Sequence, residues 1–289
     1  MSRPEPREEL WRLGRRTRDW LVAKHVWASL ESVVYWAGPR LLPPTARETE
    51  VALPTGIRLA IPPRLSAGQA YRDGYEPVST RWLTEFISPG WTVVDGGANI
   101  GYFTTLFSRC VGPAGRVVAF EPDPINFQYL LRNLKTNHCE NVEPIHAALS
   151  DESGTATFTP DRFLAEGHLV ATRNASSRSL IVPTVRLEDF LRTRRLASVR
   201  LVKLDVEGGE VPALRGMAGV LEWGDDPRVV FECSPRALAR AGFTVIDLFA
   251  VLKQLGFRYA QSVEPAGPEF SLSHPPVVEG HSQNIVVWR

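Results

Sequence analysis

The stretch VVDGGANIGYF, Val93–Phe103, decides how the rest of the chain is read. Two β-branched residues lead through an acid and a glycine pair to an amide, a third glycine and two aromatics. A buried strand that ends in a tight turn and opens a helix has this pattern. Glycines at such a turn let the backbone approach a nucleotide-like ligand, and the dinucleotide form of the motif is G-x-G-x-x-G. Gly96, Gly97 and Gly101 satisfy that spacing in no register. Asp95 also stands immediately before the turn. A carboxylate there repels a pyrophosphate and suits a ligand carrying an ammonium group.

Strands and helices alternate on either side. RVVAFEP (116–122) reads as a second strand, followed by a helix capped by Asp123 with Pro124 at its first position. VEPIHAALS (142–150), VRLVKLDVEG (199–208) and RVVFECS (228–234) read as three more strands, and FRYAQS (257–262) and NIVVWR (284–289) as the last two. Apolar residues at helical spacing fill the gaps: Ile100, Phe103, Phe107, Cys110; Ile125, Leu130, Leu131, Leu134; Val211, Leu214, Ala218, Leu221; Val245, Leu248, Leu252, Leu255. Near-continuous Val/Leu/Ile strands joined by helices predict a doubly wound, mostly parallel α/β sheet covered on both faces. Its ligand belongs beyond the carboxyl ends of the central strands. The final two strands have no helix between them and are expected to pair antiparallel at one edge. Upstream, EVALPTGIRLAIPP (50–63) reads as a hairpin, and a helix is expected from Pro77 or Ser79 to Ser88-Pro89-Gly90.

Residues 1–48 form a separate zone rich in tryptophan and arginine, expected to be a helical lid or flank on a domain spanning 49–289, or a contact in a homodimer. A basic membrane-surface helix is the sharper alternative, but the tryptophans make no single stripe, so no stable membrane association is expected. The charged first residues do not read as a signal peptide, and no apolar run reads as long enough to span a bilayer. With three scattered cysteines among 289 residues, neither a disulfide framework nor a zinc site is expected, and the protein reads as cytoplasmic. A net charge of +1 gives no reason to expect nucleic acid as a partner.

Glu121, about twenty residues past Gly101, ends the second strand where a carboxylate accepts hydrogen bonds from two ribose hydroxyls. A ribose clamp, a close-approach turn and an acid near a cationic head together fit S-adenosylmethionine. VVDGGANIGYFT, VVAFEPDPINFQYLLRNL, AALSDESGTATF, VPTVRLEDFL and VRLVKLDVEGGEVPALRGM then resemble, in order and spacing, the FkbM-type methyltransferases. The resemblance covers about Tyr75 to Cys233. It implies the Class I, Rossmann-like methyltransferase fold, with seven strands of which the last is antiparallel. It also implies transfer of a methyl group from S-adenosylmethionine, leaving S-adenosylhomocysteine, to a hydroxyl of a small sugar or natural-product acceptor. Carried over by position, Asp95, Gly96, Gly97, Asn99 and Gly101 line the methionine and ribose side. Glu121 holds the ribose, Ala148 borders the adenine, and Glu76 approaches the amino-acid end.

An alcohol needs a base or a metal near the methyl group. KLDVEGGE (203–210) ends the fourth strand, where alternation sends Lys203, Asp205 and Glu207 to one side if the strand runs that far. Glu232 comes from the next strand. Asp205 and Glu232 are therefore candidates for the base and, with Glu207, ligands for Mg²⁺, which is not the favoured reading. The plainer alternative pairs Lys203 with Asp205 and leaves Glu207 and Glu210 to favour a helix N-terminus. His168 lies in an aperiodic loop, 161–179, with Arg173 and Arg178, and is a further candidate base. His146 reads as a core histidine. Three rivals stay open: an N-methyltransferase, a catalytically silent assembly module, and an NAD-dependent oxidoreductase.

Overall fold

A computed structural model describes residues 48–63, 75–161, 166–170, 174–196, 198–219, 227–264, 266–276 and 282–289. The expectations for the first 47 residues, for Arg173 and for Leu221 fall outside these ranges.

The chain opens with the expected antiparallel hairpin, β1 (Thr49–Ala52) and β2 (Arg58–Ile61). Helix α1 (Pro77–Phe86) follows, then the expected alternation: β3 (Thr92–Gly96), α2 (Tyr102–Val111), β4 (Arg116–Phe120), α3 (Pro124–Thr136) and β5 (Val142–Ile145). Asp123 caps α3 as its sequence indicates, accepting from the N–H groups of Ile125 and Asn126 at 2.8 and 3.1 Å.

VEPIHAALS is not one strand. The chain bends at His146–Ala147, and Ala148–Ser150 (β6) leaves for a second sheet. That sheet continues with β7 (Gly154–Thr159), β8 (His168–Val170) and β9 (Leu180–Arg186), in the order β6-β9-β7-β8. An unbroken apolar run does not mark where a chain changes sheets. Ala148, Phe158 and Val182 give this sheet a small core of its own. Helix α4 (Leu187–Thr193) returns the chain to β10 (Val199–Leu204), α5 (Glu210–Arg215) and β11 (Arg228–Cys233). Then come α6 (Pro235–Ala241), α7 (Val245–Gln254), β12 (Tyr259–Glu264), β13 (Glu269–Ser271) and β14 (Gln283–Trp288).

The main sheet runs β13-β12-β14-β11-β10-β3-β4-β5. β5, β4, β3, β10 and β11 are mutually parallel, whereas β14 is antiparallel to both β11 and β12. The seven-stranded pattern with the last strand antiparallel is therefore present, with β13 added outside it. The final pair, β12 and β14, is antiparallel at one end of the sheet as expected, with only the short β13 outside it. Strand alternation explains the two-sided core. Val93 faces one buried cluster with Ile100, Phe103 and Phe107, while Val94 faces another with Phe120, Leu214 and Leu248.

Several side chains fasten the hairpin to this body: Asn137 bonds the backbone of Arg58, Arg109 donates to the carbonyls of Thr55 and Gly56, and Asn133 holds Ala60 from the core. Asn133 is fully buried, accepts from Ala60 N at 2.7 Å and donates to Ala60 O at 3.1 Å and Ile100 O at 2.8 Å. Asn133→Ala strands three buried backbone groups, so a loss of about 2 kcal/mol in urea unfolding is expected. A loss under about 0.5 kcal/mol would mean that the apolar face and the Asn137 and Arg109 contacts hold the hairpin without Asn133.

Candidate functional site

The glycine turn lies between the ends of β4 and β10. Gly97 and Ala98 both donate to the carbonyl of Phe120 at 2.9 Å, and Asp205 N donates to Gly96 O at 2.9 Å. Gly97 takes φ +79°, and a Cβ there would overlap the carbonyl oxygen of Asp205. Glycine is thus required by both conformation and contact. Gly96 is small for another reason: a Cβ would meet Leu149 Cδ1 at 2.8 Å. Its role visible in the structure is packing.

Glu121 clamps the turn from the neighbouring strand. Its Oε2 accepts from Asn99 N at 2.7 Å and its Oε1 from Asp123 N at 2.8 Å. Burial pushes its carboxyl up to about 8, against the pull of those two N–H groups. Each oxygen has lone-pair capacity left for another donor. Asn99 sits at φ 51°, with its Oδ1 accepting from Ile100 N at 2.8 Å. Asp95 is sealed below the turn. Thr104 donates to its Oδ2 at 2.6 Å, and Oδ1 is buried without a hydrogen-bond partner. Ala148 is buried at the start of β6.

An acidic mouth adjoins the turn. Lys203, 5% exposed, reaches Asp205 Oδ2 at 3.0 Å and lies 4.7 Å from the centre of the Phe103 ring. The expected Lys203–Asp205 pair therefore exists. Burial alone would favour the neutral amine, but Asp205, Asp95 and Glu76 more than reverse this and hold it charged. Glu76 accepts from Asn284 Nδ2 at 2.8 Å, and burial followed by the charge of Asp205 pushes it up to about 7.

Strand alternation does not place Glu207. β10 stops at Leu204, and Glu207 adopts φ 53° in the following loop. Asp205 and Glu232 meet because Leu204 pairs with Phe231 across parallel strands, so the next residue of each stands side by side. Burial and the surrounding acids push Glu207 up to about 10 and Glu232 up to about 8. Arg240, on α6, touches Glu207 Oε2 at 3.3 Å and Glu166 at 3.4 Å.

Arg240 also borders a cavity of about 430 Å³, lined by Thr159, Asp161, Glu166, His168, Ser176 and Arg178 among others. His168 is half-buried there. Its Nδ1 lies 3.0 Å from the carbonyl of Glu166, which can only accept, so Nδ1 carries the proton and Nε2 is the basic nitrogen. Burial lowers the pKa of His168, favouring that neutral form. The reading of His146 is corrected: it is exposed, stacked 4.7 Å from the Phe127 ring, with Nε2 3.1 Å from Pro122 O. Sequence reasoning missed Arg240 and α6. A seven-residue helix shows no periodicity, although Ser234 and Pro235 at its start and Gly242 at its end mark it.

A model of the methyltransferase FkbM domain matches residues 95–259, which include the turn, Glu121, Asp205 and Glu232. The chain belongs to the FkbM methyltransferase family. Its fold is the Rossmann-like α/β fold of Class I methyltransferases. Among its relatives, the 31-O-demethyl-FK506 methyltransferase FkbM of Streptomyces tacrolimicus is 32% identical over 209 residues, 61% of this chain and 77% of that protein. Methyltransferase 1 of Beauveria bassiana is 31% identical over 144 residues, 43% of this chain and 57% of that one. The hexuronic acid methyltransferase AglP of Haloferax volcanii is 32% identical over 129 residues, 44% of this chain and 50% of that one. This FkbM-family chain thus spans about half the length of the last two. No helix among its described residues is long and apolar enough to cross a membrane.

Proposed function

We propose that this FkbM-family protein transfers a methyl group from S-adenosylmethionine to a hydroxyl of a small, polar acceptor such as a sugar or a natural-product scaffold. The observation that carries the reading is a bare glycine turn clamped by Glu121 beside a carboxylate-lined mouth. The residues fit the cofactor: Gly97 leaves its backbone bare, Glu121 keeps acceptor capacity for a ribose diol, and Asp95 holds an unpartnered buried oxygen beside the turn. When bound, S-adenosylmethionine supplies an electrophilic methyl group on a sulfonium.

The chain's own work is to align the acceptor, exclude water and take a proton. Asp205, Glu232 and His168 are the groups proposed to handle that proton. Neutral His168 lines the cavity, and Arg240, which lines it too, contacts Glu207. Ser176, Thr159 and Arg178 offer hydroxyl and guanidinium groups to a hydroxyl-rich acceptor.

An amine acceptor is the second reading, favoured by the excess of carboxylates around the mouth, which suits an ammonium. The test is incubation of the full chain with methyl-labelled S-adenosylmethionine and matched hydroxyl and amine acceptors, with the product linkage read by NMR. An ether product supports the proposal and an N-methyl product replaces it. Failure to bind S-adenosylhomocysteine in calorimetry would overturn both readings in favour of a silent module.

A further inference from the structure

We propose that Asn284, on β14, is a positioning residue of the donor site, whose amide holds the carboxylate of Glu76 where it receives the α-ammonium of S-adenosylmethionine. The proposal rests on the methyltransferase reading and adds a residue to it.

Register brings Asn284 to the mouth. It pairs with Glu232 on β11 and with Glu264 on β12, and Glu232 stands beside Asp205 because Leu204 pairs with Phe231. Asp205, Glu232, Asn284 and Glu264 therefore form a row across four strands, an amide among three acids. Neighbours in such a row lie about 4.8 Å apart, which puts Asn284 roughly 10 Å from Asp205. The carbonyl of Asp205 in turn lies against Gly97 of the turn.

Glu76 stands at the N-terminus of α1, where a carboxylate ordinarily accepts from the N–H groups of its own helix. It makes no such bond. The N–H of Ser79, at the third helical position, donates to Glu264 Oε2 at 2.8 Å instead. Glu76 also adopts φ 42° and ψ 65°, a left-handed conformation that strains a non-glycine residue and persists only where neighbouring contacts impose it. Asn284 supplies two of those contacts. Its Nδ2 donates to Glu76 Oε2 at 2.8 Å and to Ser79 Oγ at 2.9 Å, so both amide hydrogens fix Glu76 and the first turn of α1. The carboxylate is thus freed from capping and held by one oxygen, and no described residue donates to the other.

The surroundings of Glu76 suit a cationic group. Its charge acts on Lys203 and Asp205 at the end of β10, on Glu232, and on Tyr102 of α2, while Glu264 acts on it from β12. Lys203, the cation among these, is already paired with Asp205 at 3.0 Å. The ring of Tyr75 meets those of Tyr102 and Phe103 edge-on at 5.4 and 6.1 Å, so the segment bearing Glu76 packs on the residues that follow the glycine turn. A primary ammonium, with three donors and a full charge, matches an open carboxylate oxygen at this place.

The test compares binding of S-adenosylhomocysteine and 5′-methylthioadenosine to the full chain by calorimetry. The second ligand shares the adenosine and the thioether but has no amino-acid end. Asn284→Ala is expected to weaken S-adenosylhomocysteine about tenfold and 5′-methylthioadenosine less than about twofold, the scale of one charge-assisted hydrogen bond. Glu76→Gln should lose the same selectivity, and adding Asn284→Ala to it should lose no more, because both act through one carboxylate. Asn284→Asp keeps the shape, replaces the donor with a like charge facing Glu76, and should also lose selectivity. Partial unfolding weakens both ligands by the same factor, so the ratio of the two affinities reads positioning and not fold. Equal weakening of both ligands, an unchanged ratio in Asn284→Asp, or effects of Asn284→Ala and Glu76→Gln that multiply would overturn the proposal and leave the methyltransferase reading in place. Failure of the wild-type chain to bind S-adenosylhomocysteine overturns both.

Discussion

Replacing Lys203 by methionine is expected to cost the fold about 3–5 kcal/mol, the range for removing one partner of a buried charge constellation. Methionine preserves the unbranched apolar stem, so little packing is lost against Phe103, whose ring lies 4.7 Å from Nζ. What goes is the one charge that Asp205, Asp95 and Glu76 all act on. Asp95 is the worst placed afterwards. It is fully buried, with one oxygen held by Thr104 and the other already without a partner. Asp205, at 27% side-chain exposure, can turn toward water. Asp205→Asn should therefore lose much less stability than Lys203→Met. Urea unfolding of both variants measures the difference. A Lys203→Met loss under about 1 kcal/mol, or an equal loss in the two, would show that the pair with Asp205 alone accounts for the lysine.

The glycine turn and its clamp were legible because their parts are local. A strand, a glycine turn and a helix lie within Thr92–Val111, and Glu121 ends the next strand, so parallel pairing alone brings them together. The misfit to the dinucleotide spacing was equally local. The acidic mouth was half legible. Asp205 and Glu232 follow from strand order and register, but Glu207 arrives through a left-handed loop residue rather than through alternation.

The rest depended on long-range placement that no short pattern records. Arg240 acts from a helix too short to show a period. The second sheet is built from short strands, two of them three residues long, and β8 lies inside the stretch that showed no period at all. His146 sat in an apolar run and so read as core. The bend that starts the second sheet brings it to the surface instead, against Phe127.

Glu121→Ala should weaken S-adenosylhomocysteine binding by about 100-fold or more. Hydrogen bonds to a charged acceptor are worth about 1.5–3 kcal/mol each. Losing two ribose contacts thus removes at least ~3 kcal/mol, and each 1.4 kcal/mol is tenfold. The turn suffers as well, since Asn99 N and Asp123 N both lose their acceptor. Glutamine does not rescue it, because one of its termini would present an N–H to another N–H.

The proton adds a signature that structural damage alone would not give. The carboxyl of Glu121 is raised to about 8 in the free protein by burial, with Asp123 and Asp95 adding to the rise. A ribose diol donates to the ionised form, so binding releases a proton. Affinity should climb with pH, by up to tenfold per unit, and level off near 8. The same shift makes Glu121 favour the fold less as pH rises from its unfolded value near 4.5 toward 8, because the folded state binds the extra proton in that window. Calorimetry at pH 6, 7 and 8 in buffers of different ionisation enthalpy reads both affinity and proton release. A flat wild-type profile, or the same slope in Glu121→Gln, would remove Glu121 from the ribose and leave it only its place as the clamp of the turn.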